Sequence, residues 1–317
     1  MESQNDVEDG NSPSPTATSQ SRAAKLQLPL SCEPPSSSKP AEQAVWVVFG
    51  ATGHMGRSLI RKALARADLV TAVGRTYENS LQSMQDWHEN CLGLLCDVRD
   101  RKTVDEVLQK SLTHWGRIDI IANCSGYGVI GACEDQDESE IRDQFETNFM
   151  GTLNIIQLSL PYFREKSAGR YLVFSSTSGA LGIPGLGPYC ATKYAVEGLI
   201  ESMQYEIDAF GVKATLVEPG LARRDESVSR AFRSPICFNT SSTIHRPDNK
   251  TNPLPIWGHF LVKRPSEPYA QLNSPAGHAR RMVTWLGDKQ PTSAVKCAEL
   301  VWQVTPPCRA GQQSCHR

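Results

Sequence analysis

The sequence has almost no net charge. Its 317 residues carry 33 Lys and Arg against 34 Asp and Glu, a formal balance of -1. Without a basic or acidic excess there is no electrostatic reason to expect nucleic acid or an anionic membrane surface as partner. Long apolar runs are also missing: no window approaches the roughly eighteen uninterrupted apolar residues of a membrane span. The N-terminus MESQNDVEDG lacks the basic-then-apolar order of a secretory signal, so a cytoplasmic protein is the default expectation. Ten cysteines are scattered with no CxxC pair and no matching histidine spacing. That pattern excludes a disulfide framework or a metal site as first readings and leaves reduced thiols.

What is present falls into three parts. Residues 1–42 are rich in Ser, Pro, Gln and Glu without hydrophobic periodicity, and too little apolar surface is available there to offset the entropy of ordering. A disordered tail is expected. Residues 43–304 alternate short apolar runs with helical patterns: VWVVF then SLIRKALARA, LVTAV then YENSLQSM, LGLLCDV then KTVDEVLQKSLTHW. The alternation continues through IDIIANCSG, YLVFSS and KATLVEPG, each strand but the last followed by a helical stretch. Continuous apolar strands alternating with helices predict a doubly wound parallel α/β sheet, the Rossmann fold. Within that domain, residues 221–275 form an irregular stretch with aromatics and prolines, too long for an ordinary connection. A substrate lid and a surface excursion both fit it. Two helical segments follow, the second with Thr292 or Ser293 as N-cap. Residues 305–317 carry no strand pattern.

The first strand runs into GATGHMG at residues 50–56 and then into a helical pattern, the layout of a phosphate-binding βαβ turn. Glycines let the backbone approach a pyrophosphate. Gly50 and Gly56 agree with two spellings of such a loop; either His54 displaces the middle glycine or Gly53 supplies it. The stretch SSTSGALGIPGLGPYCATK carries more chemistry. Tyr189 and Lys193 are spaced i, i+4 and share one face of a helix starting near Pro188. A nearby ammonium is expected to lower the phenol pKa toward useful acid and base strength. Ser176 ends the apolar strand YLVFSS, where ligands of parallel sheets bind, and its hydroxyl can orient a carbonyl oxygen.

Together these motifs resemble the short-chain dehydrogenase/reductase superfamily, in the single-domain group with a Tyr-x-x-x-Lys site, over about Val45 to Gly220. The resemblance implies a catalytic set of Asn148, Ser176, Tyr189 and Lys193. Tyr189 would be the general acid or base, Ser176 would polarise the carbonyl, Lys193 would hold cofactor ribose hydroxyls, and Asn148 would support a water beside Lys193. It also implies cofactor contacts from Gly50, Thr52, Gly53, Met55, Gly56 and Arg57 around the loop, Asp97 and Val98 near the adenine, and Asn123 in NCSG, where the family reads NNAG. Pro219 and Gly220 match the turn beside the nicotinamide. The threonine usual a few residues later is absent, with Arg223 and Arg224 there instead.

The second strand ends in Gly74 and Arg75 with no acid, and Arg57 follows the glycine loop. Two guanidiniums suit the extra phosphate of NADP(H); NAD(H) is the less favoured cofactor. The expected activity is NADP-dependent interconversion of a ketone or aldehyde with its alcohol, as in steroid, retinol and fungal metabolite reductases. The rival is a non-catalytic, redox-sensing NADP-binding regulator, favoured by the loop and opposed by the intact Ser176, Tyr189 and Lys193. The family's homodimers or homotetramers are a further expectation, and the missing final strand implies an exposed sheet edge or an impaired enzyme.

Overall fold

A computed structural model of the chain describes residues 43–75, 87–223, 256–257, 259–271, 273–286 and 289–305. Six parallel strands make the central sheet: β1 Val45–Phe49, β2 Leu69–Gly74, β3 Cys91–Leu95, β4 Ile120–Asn123, β6 Gly169–Phe174 and β7 Val212–Val217. Their order is β3-β2-β1-β4-β6-β7. β1 is buried at all five positions, as expected of a strand covered on both faces. Its alternate side chains go to opposite layers. Val47 and Phe49 meet α2 (Arg101–Trp115), α4 (Gly151–Lys166) and α5 (Gly187–Ile207), whereas Trp46 and Val48 meet α1 (His54–Leu64) and α7 (Ala294–Gln303).

Local signals fix the helix ends. Asp100 caps α2, which stops at Gly116 in the left-handed region with φ 75°. A capping box of Asp137 and Glu140 starts α3 (Glu138–Phe145). A π-turn, Glu146–Met150, then leads into α4, and Gly151 allows the close approach, since a Cβ there would lie 2.5 Å from Val98 Cγ2. Ser293 is the N-cap of α7, accepting from the Lys296 N–H at 3.3 Å.

The strand order reverses between β1 and β4, so the sheet opens a crevice at their C-terminal ends. Above it sits a second sheet. β5 (Gly128–Ile130) pairs in parallel with β10 (Phe260–Val262), and β10 pairs antiparallel with β9 (Ile256–Trp257). A two-residue pairing joins β8 (Ala222–Arg223) to β11 (Thr292–Ser293). The described end of the stretch expected to be irregular therefore folds back as strand, because β5 offers it an edge. α6 (His278–Leu286) packs beneath, with Ala279 and Val283 in a third cluster around Tyr189 and Phe260.

Among the described residues β7 pairs only with β6 and forms the sheet edge. The tail 1–42, the expected helix YENSLQSM, most of the lid stretch including Arg224, and residues 306–317 lie outside the described residues. The six cysteines described (Cys91, Cys96, Cys124, Cys133, Cys190 and Cys297) are all free thiols.

Candidate active site

Two of the three loop glycines are required by geometry. Gly50 has φ 77°, and a Cβ on it would stand 2.6 Å from the Cys124 carbonyl carbon in the turn after β4. A Cβ on Gly56, in the first turn of α1, would overlap the Gly50 carbonyl. Gly53 is the N-cap of α1 with φ -72°, and a Cβ there would meet Gly50 O at 3.3 Å, so its glycine is the least constrained. His54 opens the helix with its ring stacked on His259 at 6.1 Å. Thr52 is exposed, and Met55 is half-buried against the α1 layer. The result is a close-packed backbone cradle ahead of a helix N-terminus, which fits a pyrophosphate.

Arg57 points back from α1 across the Trp87 ring, its guanidinium carbon 5.4 Å from the ring centre. Its Nε is buried without a hydrogen-bond partner, and burial, with Arg61 nearby, holds its pKa below the ordinary value. An orphaned guanidinium N–H beside the cradle fits an anionic ligand group. Arg75 directly follows β2 and is half-buried. Asp97 is engaged in its own turn: Arg99 donates to it from the backbone N–H at 3.0 Å and from the side chain at 2.6 Å. Burial opposes its charge, but the Arg99 hydrogen bonds and the Arg99 and Arg75 charges outweigh it and hold the carboxyl below its usual range. Val98 is buried against Gly151, and Asn123 is buried with Nδ2 donating to Thr152 Oγ1 at 2.9 Å.

The expected catalytic residues converge. Ser176 lies two residues beyond β6 rather than in it, and caps the 3-10 turn Thr177–Gly179 by accepting from Ser178 N–H at 3.2 Å. Tyr189, 3% exposed, comes from α5 into the neighbourhood of the Ser176 hydroxyl. Lys193, 4% exposed, donates to the Phe174 carbonyl at 2.9 Å. Asn148 takes part from the π-turn: Nδ2 donates to the Tyr127 carbonyl and to Thr192 Oγ1, both at 2.9 Å, and Oδ1 accepts from Tyr127 N–H at 3.0 Å. Gly126 is bare between them, where a Cβ would stand 3.1 Å from Asn148 Oδ1 and 3.7 Å from Lys193 Nζ. Pro219 accepts from Thr177 N–H at 3.2 Å, and Gly220 faces Thr292 Oγ1. Arg223 donates to the carbonyls of Gln290 and Pro291, both at 3.0 Å.

The electrostatics differ from the sequence expectation at one point. The Tyr189 pKa is raised rather than lowered: Lys193 Nζ is 5.7 Å from the ring centre and donates to the Phe174 carbonyl. Burial pushes the phenol up, and the Ser176 hydroxyl opposes this. Burial likewise drives Lys193 down, to about 8, against its interactions with Cys124 and Glu197. Sequence reasoning missed the supports. Thr192 bridges Asn148 to the Tyr189 carbonyl, and Phe260 packs edge-on against Tyr189 at 5.0 Å. Thr192 had a signal, since it lies between Tyr189 and Lys193; the Phe174 carbonyl and Phe260 had none.

The family model described as "short chain dehydrogenase" matches residues 44–230. The chain is 28% identical over 248 residues to Oxidoreductase BOA17 of Botryotinia fuckeliana, covering 78% of this chain and 86% of that one. It is 38% identical over 127 residues to a 3-ketodihydrosphingosine reductase of Bacteroides thetaiotaomicron, covering 40% of this chain and 47% of the relative. Among solved structures, a short-chain dehydrogenase from Streptomyces avermitilis superposes with a TM-score of 0.66 at 28% identity, covering 82% of this chain and 83% of that one. A short chain dehydrogenase/reductase from Burkholderia phymatum, in complex with NAD, superposes with a TM-score of 0.62 at 17% identity, over 83% of this chain and 85% of that one.

Proposed function

The chain belongs to the short-chain dehydrogenase family of oxidoreductases, and from that premise we propose that it interconverts a ketone or aldehyde with its alcohol using NADP(H). The observation that carries this reading is the convergence of the buried Tyr189 with the Ser176 hydroxyl that acts on it, and with Lys193 one helical turn away. NADPH, when bound, would supply the hydride for reduction, and NADP⁺ would accept it in reverse. Tyr189 gives its phenol proton to the substrate oxygen, or takes it back from the alcohol. A phenol whose pKa is raised by burial holds its proton at neutral pH, which suits the donor role. Ser176 shares its hydroxyl between Tyr189 and the substrate oxygen and polarises the carbonyl. Lys193 would hold the ribose hydroxyls, and Asn148, fixed on Tyr127, would carry the water beside it.

Gly50, Gly53 and Gly56 with the N–H groups of the α1 start would seat the pyrophosphate, flanked by Thr52 and Met55. Arg57 and Arg75 would meet the NADP 2′-phosphate, Asp97 and Val98 the adenine, Asn123 the adjoining ribose, and Pro219 and Gly220 the nicotinamide amide. The unpartnered Arg57 Nε supports NADP over NAD. An apolar carbonyl compound is the substrate class that the aromatic wall of Phe260 favours.

The test is a fluorescence titration with NADPH and NADH, followed by NADPH consumption across a panel of ketones and aldehydes. Tighter NADPH binding with turnover is expected. NADPH binding without turnover on any carbonyl would support the regulator reading instead, and binding of neither cofactor would overturn both.

A further inference from the structure

Glu197 stands one turn beyond Lys193 on α5, so Tyr189, Lys193 and Glu197 lie along one helix face at i, i+4 and i+8. Its Oε1 accepts from the Ser175 Oγ at 2.5 Å, and Ser175 directly precedes Ser176. Ser175 is itself buried, with its N–H on the Val217 carbonyl at 2.9 Å. The turn after Ser176 makes room for the carboxylate: a Cβ on Gly179 would overlap it and lie 2.7 Å from Ser175 Oγ.

We propose that Glu197 is a positioning residue of this site, its carboxylate tying the strand end that carries Ser176 to the helix that carries Tyr189 and Lys193 and placing a negative charge one helical turn from Lys193. The inference rests on the catalytic reading of those three residues. Two separable effects follow. The hydrogen bond sets where Ser176 stands relative to Tyr189, since both ends of the tether are one residue or one to two turns from them. The charge acts on Lys193, which is otherwise surrounded by groups of little help: Cys124 from the turn after β4, Tyr189 from α5, the neutral Phe174 carbonyl of β6 and the neutral Asn148 amide of the π-turn. Burial pushes both Tyr189 and Cys124 up, so each stays neutral near pH 7, and among the described residues Glu197 is the carboxylate that favours the Lys193 ammonium.

Two substitutions separate the effects. Glu197→Gln keeps an acceptor for Ser175 and removes the charge; Ser175→Ala cuts the tether and keeps the charge. For Glu197→Gln the alkaline limb of the kcat profile should move to lower pH, with KM little changed. For Ser175→Ala kcat should fall roughly tenfold at every pH, because a small displacement of a reacting group is costly, with the limb unmoved. A Glu197→Gln profile superimposed on that of the unaltered chain overturns the charge role, and an unaltered kcat in Ser175→Ala overturns the tether. If the unaltered chain turns over no carbonyl, the catalytic reading has failed, and the charge role is then decided by carbon NMR titration of lysine side chains in the full chain. The Lys193 resonance, identified by its loss in Lys193→Arg, should titrate at lower pH in Glu197→Gln; equal midpoints overturn the inference. Circular dichroism of each variant guards against misfolding, and Glu197→Asp should restore the midpoint toward that of the unaltered chain.

Discussion

At the scale of single residues, the site joins groups whose protonation is set by burial. Burial favours the neutral form of Tyr189 beside Ser176, while Lys193 loses part of its hold on a proton in the same pocket. Tyr189→Phe removes the transferable proton and leaves the ring packed on Phe260. Turnover should drop by at least a hundredfold while NADPH affinity stays within about twofold, read by NADPH consumption and by fluorescence titration. The loop glycines make a different prediction. Gly56→Ala forces a methyl into the Gly50 carbonyl, and the cradle must open. A loss of about 1–3 kcal/mol in denaturation is expected, with dinucleotide affinity falling alongside, whereas Gly53→Ala should be far milder because that backbone is already in an ordinary conformation.

At the scale of elements, a single carboxylate clips the last helix to the sheet. Asp68, just before β2, accepts from Ala44 N–H and Trp46 Nε1 at 2.9 Å each and from Trp302 Nε1 of α7 at 3.0 Å. Arg66 covers the same Trp302 ring at 4.7 Å, and Lys62 pairs with Glu299, so α1 and α7 are joined along their length. Trp302→Phe keeps the packing and deletes one donor to a buried carboxylate. It should cost about 1–3 kcal/mol and speed amide hydrogen exchange in residues 294–303 ahead of the sheet. The small upper sheet is equally specific. Gly128 lies where a Cβ would stand 2.6 Å from the Tyr189 ring and 2.8 Å from that of Phe260, so β5 and β10 can close on the site only because this position is bare.

At the scale of the whole molecule, burial of Lys193 links stability to pH. Its pKa is about 8 in the fold against an ordinary 10.5, so between those values the folded chain binds fewer protons than the unfolded one. Stability from this group therefore rises as pH increases from about 8 toward 10.5, and it is absent below the lower value. Chemical denaturation across that range should show the rise, and Lys193→Met should flatten it. Asp68 acts with the opposite sense to an ordinary paired carboxylate: burial raises its pKa above the unfolded value despite three donors, so its contribution grows as pH falls through that raised value.

The sequence by itself determined the strands of the central sheet, their parallel arrangement and which residues would be brought together around Tyr189. VWVVF, GATGHMG and YCATK are local patterns, and period, glycine placement and helical spacing need no partner to be read. It also narrowed the cap of α7 to Thr292 or Ser293, because an N-cap is a contact within one turn, and the structure chose Ser293. The tertiary structure alone decided that Gly50 is obligatory, since that depends on the Cys124 backbone more than seventy residues away along the chain. It decided the direction of the Tyr189 shift as well, because spacing shows that Lys193 is near but not that its ammonium turns to Phe174 or that both groups are desolvated. Strand β10, the Asp68 clip and the Glu197 tether were invisible for the same reason: each is made by groups distant in sequence whose meeting is fixed only when the sheet, its layers and its edges have formed.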